Sequence, residues 1–138
     1  MSIKVYRKGV DEKVSANFSS GEFDCKCDHN ECFFTYIDDN LISNLQKLRE
    51  SLKFSIKITS GYRCLQHQAD LKASGKETSS KVSMHSSGGA IDISSKGFTG
   101  VQLEEFAVKA GFKSIGVAVN WIHIDVRADK VRRWSYNE

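Results

Sequence analysis

The sequence has no long apolar run, no recognisable export signal and no concentration of charge of one sign. No stretch approaches the roughly 20 consecutive apolar residues that a transmembrane helix needs, so we expect no contact with a membrane. The basic start, residues 1–8, is not followed by an apolar segment or a small-residue cleavage site, which argues against a secretory signal. Lysine and arginine are scattered among acidic residues, with a net charge of +3, which argues against nucleic acid as the main partner.

The length and composition fit one compact domain. A chain of 138 residues can bury enough surface to form a real core, and its hydrophobic fraction of 40% and charged fraction of 27% are ordinary for a globular protein. Neither an internal repeat nor a linker divides the chain. We therefore predict a single domain over residues 1–138, in which the polar residues 1–16 form an arm or a short edge strand.

Local patterns predict several helical segments. Asp38 or Asp39 can open a helix whose apolar residues recur at helical spacing. A second helix is predicted over residues 99–110 from its capping box and from the glycine that follows it. A short helical turn is expected near residues 19–23, and a short helix over residues 63–71. The apolar positions of the first helix are Ile37, Leu41, Ile42, Leu45, Leu48 and Leu52.

Short apolar segments between the helices predict strands. Residues 54–59 alternate apolar and polar side chains, and residues 90–93 form an apolar strand that carries one acid. Residues 115–119 and 121–126 read as two strands joined by a tight connection. Residues 73–89 have the serine- and glycine-rich composition of a long loop. This order predicts an α+β fold, with helices packed on a small central antiparallel sheet.

The most informative segment for chemistry is residues 83–92. It places His85 near the end of the loop and Asp92 seven residues later on a strand. Gly88 and Gly89 let the backbone bend, so that both side chains can face one point. An imidazole and a carboxylate suit zinc, which accepts nitrogen and oxygen ligands and keeps one position open in catalytic sites. Each side chain also has an ordinary alternative, as a structurally hydrogen-bonded histidine or as a carboxylate paired with a lysine.

The last predicted strand offers a third ligand in His123. Because side chains on a strand alternate between its two faces, Asp125 and Arg127 should lie on the same face as His123. Asp125 would then be close to the water or to the ligands of a metal held by His123. The same alternation is also what any half-buried strand shows.

Taken together, these segments make the chain similar to the peptidoglycan peptidases of the M15 group, zinc enzymes that include D-alanyl-D-alanine carboxypeptidases and phage endolysins. The resemblance runs over residues 18–134 and is carried by Ser60-Gly61-Tyr62-Arg63, by the pattern Ser-x-His-x-x-Gly-x-Ala-x-Asp at residues 83–92, and by His123-x-Asp125. It implies a fold with helices against a central antiparallel sheet, related to the hedgehog signalling domain. It also implies one catalytic zinc ion bound by His85, Asp92 and His123.

The resemblance further implies roles beside the zinc ion. Arg63 matches an arginine that reaches toward the substrate or its developing oxyanion, and the alternative is a surface or salt-bridged arginine. Ser83 would contact substrate or orient the loop. Arg127, on the face of His123, is a further candidate for substrate binding.

The chain departs from the family pattern at the general base. Many members carry a glutamate or histidine a few residues before the last ligand, but residues 117–121 contain no titratable side chain. Asp125 is our candidate for this catalytic role, because it shares the face of His123. The alternative is a supporting carboxylate that orients a ligand or pairs with Arg127. His67 is a further candidate, more typical of a structural residue.

The four cysteines leave several chemistries open. Cys25, Cys27 and Cys32 are close in sequence, and Cys64 directly follows Arg63. Four thiolates could bind a second, structural zinc ion, although the spacing does not match the usual paired Cys-x-x-Cys form. Disulfides or reduced thiols packed in the core are the alternatives.

The expected function is therefore that of a zinc-dependent peptidase acting on stem or crosslink peptides of peptidoglycan by direct hydrolysis, with a zinc-activated water and no covalent intermediate. We expect a monomer that is synthesised in the cytoplasm without a signal peptide. It would reach the cell wall after holin-type release or as part of a virion, as a phage or prophage endolysin does. The alternative is a non-catalytic zinc-containing module that binds the cell wall or another partner. Carboxypeptidase and endopeptidase activity are equally compatible with the sequence.

Overall fold

A computed structural model describes residues 2–27, 32–64, 69, 84–127 and 130–136. Within these ranges the chain forms two α-helices, two sheets and two short 3-10 turns, at Ser20–Phe23 and Met84–Ser87. Neither helix has the length and apolar character that crossing a membrane would require. The strands and helices are β1 (Ile3–Arg7), β2 (Phe34–Asp38), α1 (Asp39–Leu52), β3 (Lys57–Ser60), β4 (Ala90–Ser94), α2 (Gly100–Lys109), β5 (Ser114–Val117), β6 (Ile122–Asp125) and β7 (Arg132–Ser135).

The larger sheet has one apolar face and one polar face. Its five strands lie in the order β3-β4-β6-β5-β7, with antiparallel pairing throughout except between β5 and β7, which are parallel. On the central strands β4 and β6, alternate isoleucines are fully buried in the main hydrophobic core. The residues between them, Asp92 and His123, face the opposite side of the sheet. The sheet is therefore apolar toward the helices and polar on its other face.

Both helices are delimited by local interactions. The Asp38 carboxylate accepts a hydrogen bond from the Asn40 backbone at 2.8 Å and begins α1, which ends where Lys53 adopts a left-handed conformation. Thr99 and Gln102 form the capping box of α2. The apolar face of α1 packs into the core through Leu41, Leu45, Leu48 and Leu52.

The predicted α+β class and both main helices are confirmed, and the capping box at the first 3-10 turn is present as predicted. The strand predicted over residues 54–59 was placed too early: β3 begins at Lys57, and Phe54 is 60% exposed. The parallel edge strand β7 departs from a purely antiparallel sheet. Within the segment 1–16, strand β1 pairs with β2 in a separate two-stranded sheet. The helix predicted over residues 63–71 lies almost wholly outside the described residues.

Gly88 provides a test of how tightly the loop before β4 is held. Its φ is +82°, and an added Cβ would lie 2.4 Å from the Tyr36 carbonyl oxygen. Gly97 has a similar φ of +88° with no atom within 4 Å of that position. Gly97→Ala should therefore cost only the left-handed strain of about 1–2 kcal/mol.

Gly88→Ala should lower the free energy of unfolding by a further ~1–3 kcal/mol, because the new methyl group collides with backbone atoms of β2. Urea unfolding of the two variants measures the difference directly. Equal losses would contradict this close approach of β2 to the loop.

Candidate metal centre

Three side chains from separate segments converge on the polar face of the large sheet. The Asp92 Oδ1 atom lies 3.3 Å from His85 Nε2 and 3.1 Å from His123 Nδ1, and the two ring nitrogens are 3.2 Å apart. All three residues are almost completely buried. The structure therefore brings together the histidines and the aspartate that the sequence spacing pointed to, with one ligand atom of each facing a common point.

Strand pairing positions two of the three residues. Asp92 on β4 is the direct cross-strand partner of His123 on β6, so their side chains leave the sheet side by side. His85 comes from the 3-10 turn before β4, and its Nδ1 lies 2.8 Å from the Gly61 carbonyl oxygen. Because a carbonyl can only accept, His85 Nδ1 carries the proton and Nε2 offers its lone pair to the centre.

Asp125 orients the other histidine. Its Oδ2 atom lies 2.9 Å from His123 Nε2, on the side of the imidazole opposite to Asp92. The Asp125 carboxylate also accepts hydrogen bonds from the Ser114 hydroxyl at 2.9 Å and from the Arg127 guanidinium at 2.9 and 3.0 Å. Its side chain is fully buried. This carboxylate fixes the ring of His123 so that Nδ1 faces the centre.

Arg63 reaches the centre from the segment after β3. Its Nη2 donates to Asp92 Oδ2 at 3.2 Å, and its Nε donates to the Ser60 hydroxyl at 3.0 Å. The Arg63 backbone N–H donates to the His85 carbonyl at 3.2 Å. Because Arg63 engages Oδ2, the Oδ1 atom of Asp92 is the one left facing the two histidines.

Burial and hydrogen bonding act in opposite directions on the pKa values of Asp92 and Asp125. Burial alone would raise the pKa of the Asp92 carboxyl, but the hydrogen bond from His123 and the closeness of the His85 imidazole outweigh it and lower that pKa well below its ordinary range. The pKa of Asp125 is lowered in the same way, because hydrogen bonds from His123 and Arg127 outweigh its burial. Both carboxylates are therefore ionised at neutral pH.

The pKa values of the two histidines are shifted in opposite directions. Burial lowers the pKa of His85 despite its contact with Asp92. Burial also acts to lower the pKa of His123, but the hydrogen bonds to Asp125 and Asp92 outweigh it and raise that pKa. In the absence of a cation, a proton on His123 is thus stabilised between two carboxylates. A metal ion would have to displace that proton.

The donor set fits a zinc ion. Two imidazole nitrogens and one carboxylate oxygen are the ligand types of catalytic zinc sites, which keep a further position for water or substrate. The ligands are held by outer hydrogen bonds, which His85 donates to the Gly61 carbonyl and His123 donates to the Asp125 carboxylate. His85, Asp92 and His123 could therefore hold one ion, with Arg63 beside it.

The remaining predicted site residues lie in different places. Ser83 and His67 fall outside the described residues. The Arg127 guanidinium contacts the Asp125 carboxylate and lies 5.9 Å from the centroid of the Trp134 ring, so its substrate-binding role stays a prediction. Asp125 contacts the far nitrogen of His123. This placement favours the supporting alternative, because a general base must reach the water beside the ion.

Two further contacts were not anticipated from the sequence. Ser114 is the cross-strand partner of Asp125 and donates to its carboxylate. Trp134, on β7, packs with its ring centroid 5.3 Å from that of His123. It does so across Gly116, where an added Cβ would lie 2.4 Å from the indole Nε1. A glycine directly opposite His123 was the one sequence feature that could have indicated this contact.

We expect the metal-free protein to lose stability in acid. Asp92 and Asp125 have pKa values lowered by folding, so their contribution is complete above the unfolded pKa of about 3.9 and is lost as the pH falls further. The lowered pKa of His85 costs stability as the pH falls below about 6.5, whereas the gain from the raised pKa of His123 develops above that pH and is complete below it. Below about pH 6.5 the two contributions therefore partly offset each other. The steep loss should therefore lie below about pH 4.

Urea unfolding of chelator-treated protein between about pH 5 and about pH 3 measures this loss. Asp125→Asn should reduce the acid loss, because one of the two titrating carboxyls is gone. Glu105→Gln, at an exposed position of α2, is the control and should reduce the acid loss less than Asp125→Asn does. A free energy of unfolding that stays level down to about pH 3 in the unsubstituted protein would count against the lowered carboxyl pKa values.

Comparison with known proteins gives the centre a family context. No curated protein matches the chain. A family model described as Peptidase M15 matches residues 16–125, a range that contains Arg63, His85, Asp92, His123 and Asp125. M15 peptidases are zinc-dependent metallopeptidases, which agrees with the donor set described above. The chain belongs to the Peptidase M15 family.

Proposed function

We propose that the protein is a zinc-dependent peptidase that hydrolyses a peptide bond in the stem or crosslink peptides of bacterial peptidoglycan. The observation that carries the proposal is the convergence of His85, Asp92 and His123, with Arg63 on the second oxygen of the aspartate. Family membership supports a metallopeptidase of the peptidoglycan-acting kind.

The ligands are suited to peptide hydrolysis. A bound zinc ion lowers the pKa of a coordinated water toward ~7 and polarises the scissile carbonyl. His85 and His123 present lone pairs whose direction is fixed by Gly61 and Asp125, so little reorganisation is needed at the centre. Asp92 adds one negative charge, which keeps the centre cationic once a divalent ion is bound.

Arg63 supplies a fixed positive charge next to this centre. Its guanidinium is held by Asp92 and Ser60, and its side chain is 15% exposed. A carboxylate of the wall peptide, or the negative charge that develops on the scissile oxygen, would be stabilised there. This charge supports a substrate with an acidic or carboxyl-terminal group near the bond that is cleaved.

The biological setting is part of the proposal. We propose action on the cell wall, after holin-type release or within a virion, with the protein working as a monomer. The net charge of +3 gives a weak attraction to an anionic wall polymer. These features are those of a phage or prophage endolysin.

Mass spectrometry of purified sacculi, digested with and without the protein, tests the proposal. We expect new muropeptide termini that identify the bond, loss of cleavage after chelation, and recovery when zinc is restored. His85→Ala should abolish cleavage, because it removes one of the three ligands. Arg133→Ala, which breaks a surface ion pair with Glu104, is the matched control and should leave cleavage unchanged. An unchanged muropeptide profile with zinc-loaded protein would refute the peptidase proposal.

A non-catalytic module is the second candidate. It is supported by the absence of a titratable side chain in residues 117–121 and by the position of Asp125 behind His123. In that case the zinc centre would persist as a structural element, and the protein would bind walls without cutting them. Wall binding together with an unchanged muropeptide profile would support this candidate.

Asp125→Asn separates a supporting carboxylate from a general base. If Asp125 acts through His123, the substitution should weaken zinc binding by about 10–100-fold, and saturating zinc should restore kcat. If Asp125 accepts the proton itself, kcat should stay down by about 10²–10⁴-fold at saturating zinc. We expect the first outcome, because Asp125 contacts Nε2 and the centre lies at Nδ1.

Zinc titration combined with steady-state cleavage measures both quantities. Ser114→Ala is a graded control, since it removes a single donor to Asp125 and should weaken zinc binding less than Asp125→Asn does. A low kcat that no zinc concentration restores would overturn the supporting role of Asp125.

A further inference from the structure

All four cysteines of the chain meet at a single point away from the histidine centre. Cys25 and Cys27 follow the first 3-10 turn, Cys32 precedes β2, and Cys64 follows Arg63. Their four sulfur atoms lie within 4.8 Å of one another. Residues separated by up to 39 positions are thus gathered by the fold, as one of the alternatives raised by the sequence requires.

The distances between the sulfur atoms exclude a disulfide and are compatible with a shared metal ion. Cys64 Sγ lies 3.8 Å from Cys25 Sγ and 3.6 Å from Cys27 Sγ. A disulfide would require about 2.05 Å. Four sulfur atoms placed tetrahedrally at the Zn–S distance of about 2.3 Å are about 3.8 Å apart. These two separations match edges of a zinc–thiolate tetrahedron, and every other pair of the four sulfur atoms lies within 4.8 Å.

The surroundings of the cluster suit thiolates. The Cys64 backbone N–H points to Cys25 Sγ at 3.4 Å, and the Lys8 ammonium lies 3.6 Å from Cys27 Sγ. The same ammonium donates to the Cys27 carbonyl at 3.1 Å, which holds it beside the cluster. A fixed N–H dipole and a positive charge both stabilise the negative charge that four thiolates would share.

Without a cation the four thiols would resist ionisation. Burial raises the pKa of Cys25, against the effect of the backbone N–H groups of Cys64 and Cys27. Burial and the neighbouring thiols raise the pKa of Cys32 to about 12. An ion that binds thiolates would remove this obstacle, because metal binding displaces the thiol protons.

We propose that Cys25, Cys27, Cys32 and Cys64 bind a structural zinc ion, separate from the ion at His85, Asp92 and His123. A tetrahedral set of four sulfur ligands is typical of structural zinc sites, and it leaves no position for substrate. The donor set and its geometry carry the assignment, which does not depend on the peptidase activity.

The ion would link three parts of the chain that are distant from one another in sequence. These are the loop after the first 3-10 turn, the approach to β2, and the segment that carries Arg63. The Tyr62 backbone N–H donates to the Phe23 carbonyl at 2.8 Å, so the first and third parts are already adjacent. Because Cys64 is the next residue after Arg63, the ion would fix the backbone from which that arginine reaches Asp92.

Metal analysis of the purified protein tests the assignment. We expect two zinc ions per chain in the unsubstituted protein, and one in Cys32→Ser, in Cys64→Ser and in His85→Ala. Lys26→Ala is the matched control, because Lys26 lies between two of the cysteines but donates to the Thr59 carbonyl, and it should retain two ions. One ion in the unsubstituted protein that Cys64→Ser leaves in place would overturn the proposal.

Cobalt loading gives a second measurement, which stays informative even if a cysteine variant folds poorly. His85→Ala keeps all four cysteines, so its bound cobalt should show the thiolate-to-metal charge-transfer absorption of a sulfur site. Cys64→Ser should lose this absorption, while cobalt at the histidine centre does not produce it. Absence of the band in cobalt-treated His85→Ala would contradict the site. Disulfides found by thiol alkylation of the freshly purified, denatured protein would also contradict it.

Discussion

The pairing of Asp92 with His123 across two antiparallel strands is the constraint on which the centre depends. A one-residue slip of β6 against β4 would turn His123 into the isoleucine-rich core and bring the isoleucines of β6 to the polar face, away from Asp92. Register is therefore fixed by the hydrophobic core itself, since the fully buried isoleucines alternate with the ligands. The same packing that stabilises the sheet also sets the distance between carboxylate and imidazole. Only His85 has to be delivered from elsewhere, and the close approach of Gly88 to β2 holds its turn in place.

The negative charges of the two carboxylates at the centre are balanced by two arginines. Asp92 and Asp125 flank the His123 ring on its two nitrogen atoms, and each carboxylate also contacts an arginine. A buried carboxylate without such partners would be costly, because it loses its hydration. Arg63 and Arg127 therefore make it possible to keep two ionised acids within one polar face.

Local features of the sequence were sufficient for the helices, because capping boxes and helical periodicity act over a few residues. Strand β2 was not predicted, since Thr35 is buried and Phe34 is largely exposed, which reverses the usual pattern. Strand β7 was not predicted, because it forms by pairing with β5 and its own residues do not indicate that contact. The motif brought His85, Asp92 and His123 into consideration. Which ring nitrogen of His123 contacts Asp125 depends on the rotation of the side chain, and the alternation of side chains along a strand does not determine that rotation.

The contact between Trp134 and His123 has an optical consequence. Only two tryptophans are present, and Trp121 packs against Tyr136 with ring centroids 4.9 Å apart. The other indole lies next to the imidazole, so exchange of a proton for a metal ion on that imidazole changes the electric field at a fluorophore. Intrinsic emission from Trp134 would then follow occupancy of the centre without an added dye. The glycine that makes room for the indole gives the protein a built-in reporter of its own metal state.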